Sequence, residues 1–201
     1  MTTSATTQKP ILIGLTGFAR SGKDSVGRIL TDGHGFRRVA FGDTLKAIAE
    51  DLNPLIEFTG PDGSNTNRVR VADLLATHGG WEGTKDAVPE SRQFLVDLGN
   101  SLRLRIPGVE ISASFGVPQP GDRMVNTNVY HPEEIDAIRA MGGVVVRVRR
   151  PDFGPANPDE ANTGNHPVDA TVVNDGDFDA LSAQVSRVLR GLGIESAALV
   201  H

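Results

Sequence analysis

The sequence contains no cysteine and few aromatic residues, with one tryptophan and one tyrosine among 201 positions. Disulfide bonds and thiolate chemistry are therefore excluded, and a chain without cysteine is compatible with a reducing compartment. No apolar run approaches the roughly 20 residues that a membrane-spanning helix needs. The first ten residues, "MTTSATTQKP", lack the basic and apolar regions of a signal peptide. We therefore expect a soluble, cytoplasmic protein.

The charge balance is acidic, with a formal net charge of -5. Such a balance argues against broad, nonspecific binding of nucleic acid and leaves room for a local basic pocket that holds one nucleotide. The length suits one globular core with a small inserted subdomain. We expect no nucleic-acid partner and no membrane partner, and the sequence leaves a homodimer open.

Apolar strand patterns alternate with helical patterns at both ends of the chain. "ILIGLTG" predicts a buried strand, and "KDSVGRILTDGHG" predicts the helix that follows it. Four further segments predict strands, namely "FRRVAFGD", "DRMVNTNVY", "VVVRVRR" and "DATVVNDG". Five strands separated mainly by helices predict an α/β fold, a three-layer α/β/α sandwich with a five-stranded parallel sheet.

Two segments interrupt this alternation. Residues 54–118 predict a helical insertion without a convincing strand, so the core would comprise residues 11–53 and 119–195. Residues 150–167 are rich in proline and predict a mobile loop or lid within the core. Residues 1–10 and 196–201 are expected to be flexible tails.

A glycine-rich motif lies between the first strand and the first helix. Gly17, Gly22 and Lys23 fit the pattern G-x-x-x-x-G-K, and the predicted strand and helix provide the context that this pattern requires. Glycines allow several backbone N–H groups to point at one anion, the helix N-terminus adds positive potential, and the lysine bridges the outer phosphates. The motif predicts a phosphate-binding loop. Its nucleotide-binding residues would be Gly17, Arg20, Ser21, Gly22, Lys23, Asp24 and Ser25.

Asp24 departs from the usual motif, in which a hydroxyl that binds magnesium follows the lysine. A carboxylate there would repel a nucleotide unless its charge were screened. Asp24 could face magnesium, directly or through water, with Ser25 supplying the hydroxyl. Alternatively, it could favour the helix N-terminus while pointing away from the nucleotide.

The ordered set "SGKDS", "FGDTLK", "VNTNVYHPEE", "VVVRVRRP" and "VVNDG" resembles the bacteriophage-type deoxynucleoside monophosphate kinases and, more distantly, adenylate kinase. The resemblance covers roughly residues 11–190. It implies a P-loop kinase fold with a helical monophosphate-binding insertion and a lid. It also implies ATP and Mg²⁺ as cosubstrates and phosphorylation of a deoxynucleoside monophosphate, in the host cytoplasm if the protein is of phage origin.

The resemblance also implies site residues. Lys46 would hold the acceptor phosphate, and Asp43 would help to shape its site. Arg92 would reach the acceptor, with Gln93 and Asn100 as weaker candidates. The residue pattern itself predicts that Asp43 caps the helix that begins there. Trp81 is expected to pack rather than stack on a base. At the lid hinge, the resemblance implies arginines that contact the ATP phosphates or stack on adenine. Arg147 would bind ATP there, and Arg149 and Arg150 would act in catalysis, as would Lys23 of the glycine loop. Period two places Arg147 and Arg149 on one face and Arg150 on the other.

The third strand departs from the family pattern T-D-V-R-F-P-N-E, since Asn128 stands where a carboxylate is expected and Tyr130 where an arginine is expected. Asn128 keeps an oxygen for Mg²⁺ waters but loses the charge, so we hypothesise that Asp24 and Ser25 bind the metal. Tyr130 could donate one hydrogen bond to the acceptor but cannot replace a guanidinium fork.

Three functions are compatible with the sequence. A nucleotide's 5′-phosphate is already largely dianionic at neutral pH, so a monophosphate kinase needs no general base. Another P-loop kinase, for dephospho-coenzyme A or a small alcohol, would need a base for its hydroxyl acceptor. The third is a nucleotide-binding module that has lost catalysis, which the residues at 128 and 130 suggest.

Overall fold

A computed structural model describes residues 8–59, 65–106, 108–151, 153–155, 164 and 166–195. The chain divides into two compact units. The core unit is formed by the segments before Phe41 and from Glu110 onwards, and the inserted unit is Phe41–Val109. Among the described residues, no helix is both long enough and apolar enough to cross a membrane.

The core unit alternates strands and helices. In chain order its elements are β1 (Ile11–Thr16), α1 (Lys23–His34), β2 (Arg37–Val39), α6 (Val109–Phe115, which begins at the boundary), β5 (Arg123–Val129), α7 (Pro132–Ala140), β6 (Val144–Arg149), β7 (Ala170–Val173) and α8 (Phe178–Gly191). The elements of the inserted unit are α2 (Phe41–Leu52), β3 (Leu55–Thr59), β4 (Thr66–Arg70), α3 (Val71–His78), α4 (Trp81–Ala87) and α5 (Pro89–Arg105).

The five core strands form one parallel sheet in the order β2-β5-β1-β6-β7. In the central strand, Ile13 pairs with Val125 of β5 on one side and with Val144 of β6 on the other. Because all five strands run the same way, their carboxyl ends meet at one edge, where sites on parallel sheets lie.

Apolar side chains alternate between the two faces of this sheet. Ile13 and Leu15 of β1 belong to one buried cluster, which includes Leu30 of α1 and Leu181 of α8. Leu12 belongs to the other cluster, with residues of α6 and α7 such as Ile138. Helices therefore cover both faces, and the predicted three-layer sandwich with a five-stranded parallel sheet is confirmed.

Local sequence signals mark the residues at which the core helices begin and end. Gly35 adopts a left-handed conformation at the end of α1, and its N–H donates to Leu30 O. Asp177 caps α8 by accepting a hydrogen bond of 2.9 Å from Ala180 N. At α7, Pro132 occupies the first turn, and the Glu134 carboxylate reaches back to the backbone before the helix.

The inserted unit contains a feature that the sequence did not predict. β3 and β4 pair as an antiparallel hairpin, in which Ile56 pairs with Val69. The prediction of an insertion without a strand is therefore wrong. Buried Ile56, Val71, Leu74 and Val88 form the small core of this unit.

The boundaries of the inserted unit also differ from the predicted 54–118. Helix α2, which we had assigned to the core, groups with the hairpin and α3–α5, because the compact unit begins at Phe41. Asp43 lies in the first turn of α2 and is not its cap, since the helix begins two residues earlier. Most of the predicted lid, namely residues 152, 156–163 and 165, lies outside the described residues. So do residues 1–7 and 196–201, whereas Gln8 O accepts a hydrogen bond of 2.8 Å from Gly121 N.

Candidate nucleotide-binding site

The glycine loop contains three residues with positive φ, a backbone conformation that residues with a side chain rarely adopt. Gly17 and Gly22 have φ of 145° and 100°, and Arg20 between them has φ of 62°. A Cβ at Gly17 would clash with the carbonyl oxygen of Val148, and one at Gly22 would clash with the side-chain amide of Asn174. These close approaches hold the loop against the ends of β6 and β7.

Lys23 begins α1, and its ammonium group turns back onto the loop. Its Nζ donates to Gly17 O at 2.6 Å and to Phe18 O at 3.0 Å, and it lies 5.4 Å from the centre of the Tyr130 ring. The N–H groups of the first turn of a helix lack intrahelical acceptors and carry partial positive charge. The loop therefore presents a cation and a helix N-terminus at one place.

A polar cleft of about 400 Å³ surrounds this loop. It is lined by Ala19, Arg20, Ser21, Gly22, Lys23, Asp24, Ser25, Thr127, Asn128, Tyr130, Arg150 and Asn174. The hydroxyls of Ser21 and Thr127 are buried at 1% exposure, and neither has a hydrogen-bond partner among the described residues. Buried hydroxyls normally find a partner, so two of them at one cleft indicate a place where a polar ligand completes the hydrogen bonding.

Asp24 takes an arrangement that neither sequence alternative included. Its Oδ1 lies 3.3 Å from Nη2 of Arg38 on β2, while 82% of its side chain remains exposed. Asp24 also lines the polar cleft. The carboxylate is therefore partly neutralised by an arginine and remains accessible to a ligand.

The end of β5 brings the two unusual residues of the third core strand to the same cleft. The Tyr130 hydroxyl donates to Asn128 Oδ1 at 3.5 Å. The buried carboxylate of Glu134 accepts from Tyr130 N at 2.5 Å and from His131 N at 2.9 Å. Burial raises the pKa of Glu134, and the two backbone hydrogen bonds lower it by less. Glu134 thus fixes the backbone that carries Tyr130.

A second cavity, which we call the aromatic cavity, is bordered by the start of the loop and measures about 230 Å³. Its lining residues are Thr16, Gly17, Phe18, Val129, Tyr130, Arg147, Val148, Arg149, Phe153 and Gly164. Tyr130 borders both this cavity and the polar cleft. Arg147 Nη2 donates to His166 O at 2.5 Å, and burial lowers the pKa of this guanidinium.

The three arginines at the end of β6 line different cavities, as the alternation of side chains along a strand predicts. Arg147 and Arg149 line the aromatic cavity, whereas Arg150 lines the polar cleft and lies 4.9 Å from the Phe153 ring centre. Their assignment to ATP phosphates and to catalysis stays a prediction.

The acceptor residues predicted in the inserted unit pair with neighbours in that unit. Lys46 Nζ lies 3.5 Å from Asp43 Oδ1 and 3.6 Å from Glu82 Oε1. Arg92 lies 4.0 Å from Asp86. Gln93 donates to Asp97 at 2.9 Å, and Asn100 accepts from Arg103 at 3.2 Å. Their binding of an acceptor stays a prediction. Trp81 packs against the small apolar core and donates to Glu50 at 2.6 Å, as a packing residue would.

Three residues of the polar cleft and its rim were not anticipated as site residues. Asn174 Nδ2 donates to Ser21 O at 3.0 Å and so supports the loop. Thr127 supplies a buried hydroxyl, and Arg38 pairs with Asp24. The position of Asn174 directly after β7 was a usable signal, because polar residues at the carboxyl ends of parallel strands often belong to sites. Nothing in the sequence pointed to Arg38.

The central strand, the glycine loop closing on Lys23 and the following helix define a P-loop architecture. This architecture is consistent with the predicted P-loop kinase fold. No protein-family model matches the chain. No curated protein matches it either.

Solved structures show a distant likeness. TT1252 from Thermus thermophilus is 18% identical over 92% of this chain and 99% of its own, with a TM-score of 0.40. A sugar kinase from Janibacter sp. HTCC2649, solved without ligand, is 14% identical over 96% of this chain and 100% of its own, also with a TM-score of 0.40. The fold and the site therefore rest on the geometry described above.

Proposed function

We propose that the protein is a Mg²⁺-dependent kinase that transfers the γ-phosphoryl group of ATP to the 5′-phosphate of a deoxynucleoside monophosphate, giving the diphosphate and ADP. The observation that carries the proposal is the polar cleft, where Lys23, the N-terminus of α1 and two buried hydroxyls without partners converge. Lysine, backbone N–H groups and hydroxyls together bind phosphate oxygens.

The titratable groups of the cleft support a phosphate group as the acceptor. The described residues that line it include no histidine, and Asp24 is the one carboxylate among them. Asp24 is partly neutralised by Arg38. A phosphate acceptor needs no general base because it is already ionised, whereas a hydroxyl acceptor does. The cleft thus supports a monophosphate as the acceptor.

The chain's own groups would act by position and charge. Lys23 would leave the carbonyls of Gly17 and Phe18 and bind the transferring phosphoryl group, and Ser21 and Thr127 would orient phosphate oxygens. An oxygen of the acceptor phosphate attacks the γ-phosphorus, the bond to the bridging oxygen breaks, and ADP leaves with that electron pair. Alignment and neutralisation of charge supply most of the rate enhancement in such transfers.

The residues present fit a magnesium ion that arrives with the nucleotide. Magnesium prefers oxygen ligands and is commonly held by one or two carboxylates, phosphates and water. Asp24 and Ser25 supply a carboxylate and a hydroxyl, and Asn128 adds an amide oxygen within the cleft. The bound ion would neutralise charge on the outer phosphates.

A hydroxyl-acceptor kinase is the second candidate, and Asp24 favours it. An exposed carboxylate inside the polar cleft could serve as the base that such an acceptor needs. The acceptor would then be a small alcohol or a dephospho-coenzyme A-like molecule.

A magnesium-dependent ATP-consumption screen separates these candidates. The acceptors are the four deoxynucleoside monophosphates, the ribonucleotides and a set of hydroxyl compounds that includes dephospho-coenzyme A. We expect turnover with at least one deoxynucleoside monophosphate, and its loss in Lys23→Met but not in the exposed control Lys9→Met. Turnover confined to hydroxyl acceptors would favour the second candidate, and ATP binding without any turnover would indicate a module that has lost catalysis.

A further inference from the structure

The aromatic cavity has the composition of a site for a planar ring. Phe18, Tyr130 and Phe153 contribute aromatic surfaces, and Val129 and Val148 contribute aliphatic ones. Binding pockets typically combine such apolar walls with a few placed polar groups. Here the polar lining residues are Thr16, Arg147 and Arg149.

The size of the cavity restricts its occupant. Pockets for whole drug-sized ligands measure roughly 300–1,000 Å³, whereas the aromatic cavity measures about 230 Å³. It therefore has room for one ring system but not for a nucleotide with its phosphate chain. The phosphates of any ligand that places its ring here must lie outside the cavity.

The cavity adjoins the place where phosphate would be transferred. Tyr130 borders both the cavity and the polar cleft, and its ring lies 5.4 Å from Lys23 Nζ. Gly17 and Phe18, whose carbonyls hold Lys23, line the cavity as well. A ring in the cavity and a phosphate at the loop could thus belong to one bound molecule or to two that react with each other.

We propose that the aromatic cavity binds the nucleobase ring of the phosphate acceptor; the proposal rests on the function proposed above and names the binding site of its acceptor. The ring stacks against Phe18 and Phe153, since aromatic faces bind any base through its π-face. Arg149 and Arg147 at the cavity place positive charge beside the acceptor's own phosphate.

The choice of the acceptor over the donor follows from the cations. The donor's phosphates use Lys23 and the N-terminus of α1 in the polar cleft. An acceptor that carries a phosphate needs a second set of positive charges, and Arg147 and Arg149 share one face of β6 at the aromatic cavity. A ring site bordered by two guanidinium groups matches a nucleoside monophosphate. The adenine of the donor is the alternative occupant with the same ring chemistry.

The test measures binding with and without the base, in the full chain. Calorimetry gives the dissociation constants of each deoxynucleoside monophosphate and of deoxyribose 5-phosphate, and those of ATP and of inorganic tripolyphosphate. The ratio within each pair isolates the contribution of the ring. The variants are Phe153→Ala, Phe18→Leu and the control Phe178→Ala.

Phe178 is a matched control because it also faces an arginine and does not line the cavity. Its ring centre lies 5.7 Å from the Arg28 guanidinium, compared with 4.9 Å between Phe153 and Arg150. Phe178 is 50% exposed, so its removal should leave the fold intact. Thermal unfolding of every variant verifies that each is folded.

We expect Phe153→Ala to reduce the preference for a deoxynucleoside monophosphate over deoxyribose 5-phosphate by about fivefold or more. Phe18→Leu should act in the same direction, whereas the preference for ATP over tripolyphosphate should not change. An unchanged acceptor preference in both folded variants would overturn the proposal, and so would a loss confined to ATP, which would assign the cavity to the donor's adenine. Because this readout is binding, it is distinct from failure of the kinase proposal, which would appear as absent turnover in the unaltered protein.

Discussion

Arg38 Nη2 lies 3.3 Å from Asp24 Oδ1, which links β2 to the first turn of α1 beside the glycine loop. Both side chains are largely exposed, so the pair contributes little to stability. Its effect is electrostatic, because it reduces the negative charge that Asp24 presents to the polar cleft. Under the proposed function, this charge would face the triphosphate of ATP.

The Arg38–Asp24 pair predicts a dependence of ATP binding on Arg38. Without magnesium, Arg38→Gln should weaken ATP binding roughly two- to fivefold, because the carboxylate is then less neutralised. In the Asp24→Asn background the same substitution should have little effect. Calorimetric titration of the four proteins in EDTA measures this coupling, and equal losses in both backgrounds would contradict it.

The metal-binding hypothesis for Asp24 has its own test, with magnesium present. Asp24→Asn should lower kcat by about tenfold or more, because the cleft loses its one described carboxylate ligand. Adding Asn128→Asp should partly restore kcat by returning a carboxylate to the end of β5. Steady-state rates across a magnesium titration give the answer. An unchanged kcat and magnesium requirement in Asp24→Asn would refute the hypothesis.

Alanine substitutions at Gly17 and at Gly33 should change the free energy of unfolding in opposite directions. Gly17→Ala should destabilise the protein by about 1–3 kcal/mol, because φ is 145° and a Cβ would clash with Val148 O. Gly33→Ala should stabilise it by up to about 1 kcal/mol, since that helical position has open space around it. Urea denaturation measures both, and destabilisation by Gly33→Ala would show that the helix does not tolerate a side chain there.

Glu134 predicts a pH dependence of stability. Burial raises its pKa in the folded state, so the folded state binds the proton more tightly than the unfolded state does. The stability that this group contributes is complete below its unfolded value near 4.5 and decreases as pH rises through the higher folded value. Glu134→Gln should therefore gain stability relative to the unaltered protein as pH rises from about 4 to 7. Denaturation at several pH values checks this, and Glu133→Gln, at an exposed position of the same helix, is the control for removal of a carboxylate.

Lys46 tests the predicted contribution of the inserted unit. If it binds the acceptor phosphate, Lys46→Met should raise the KM for the deoxynucleoside monophosphate by roughly 10- to 100-fold, the loss expected for a charged hydrogen bond. The KM for ATP should change little. Lys85→Met is the matched control, because Lys85 also contacts Glu82, at 2.7 Å. Equal effects of the two substitutions would mean that Lys46 acts only through the Glu82 cluster.

The sequence predicted the core unit well because its signals are local. The apolar run of β1, the spacing of Gly17, Gly22 and Lys23 and the helical pattern after Lys23 all lie within one short segment. The alternation of Arg147, Arg149 and Arg150 between two cavities likewise follows from the period of a strand.

The hairpin of the inserted unit could not be recognised in the same way. In β3 the apolar Leu55 is 52% exposed while its neighbour Ile56 is buried, so hydrophobicity does not alternate where burial does. In β4, "TNRVR" is mostly polar and runs directly into helix α3. Pairing between such strands depends on the tertiary packing of Ile56. This packing cannot be predicted from the residues that neighbour Ile56 in the sequence.

The site residues that the sequence did not predict have another explanation, because they enter the site through contacts that form only when the strand ends assemble. Arg38 and Asp24 meet because α1 returns the chain to β2, and Asn174 reaches Ser21 from a strand that is distant in sequence. The sequence pattern drew attention to Asn128 and not to its neighbour Thr127. The Thr127 hydroxyl is nevertheless buried and has no hydrogen-bond partner among the described residues. Such contacts depend on how the strand ends assemble.

The placement of Trp81 gives each compact unit its own optical signal. The sequence has one tryptophan, in the inserted unit, and one tyrosine, Tyr130, in the core unit. Tryptophan emission therefore follows the unfolding of residues 41–109, and the tyrosine signal follows the unfolding of the core unit. Denaturation recorded with both probes on the unlabelled protein would reveal whether the two units unfold in one transition or in two.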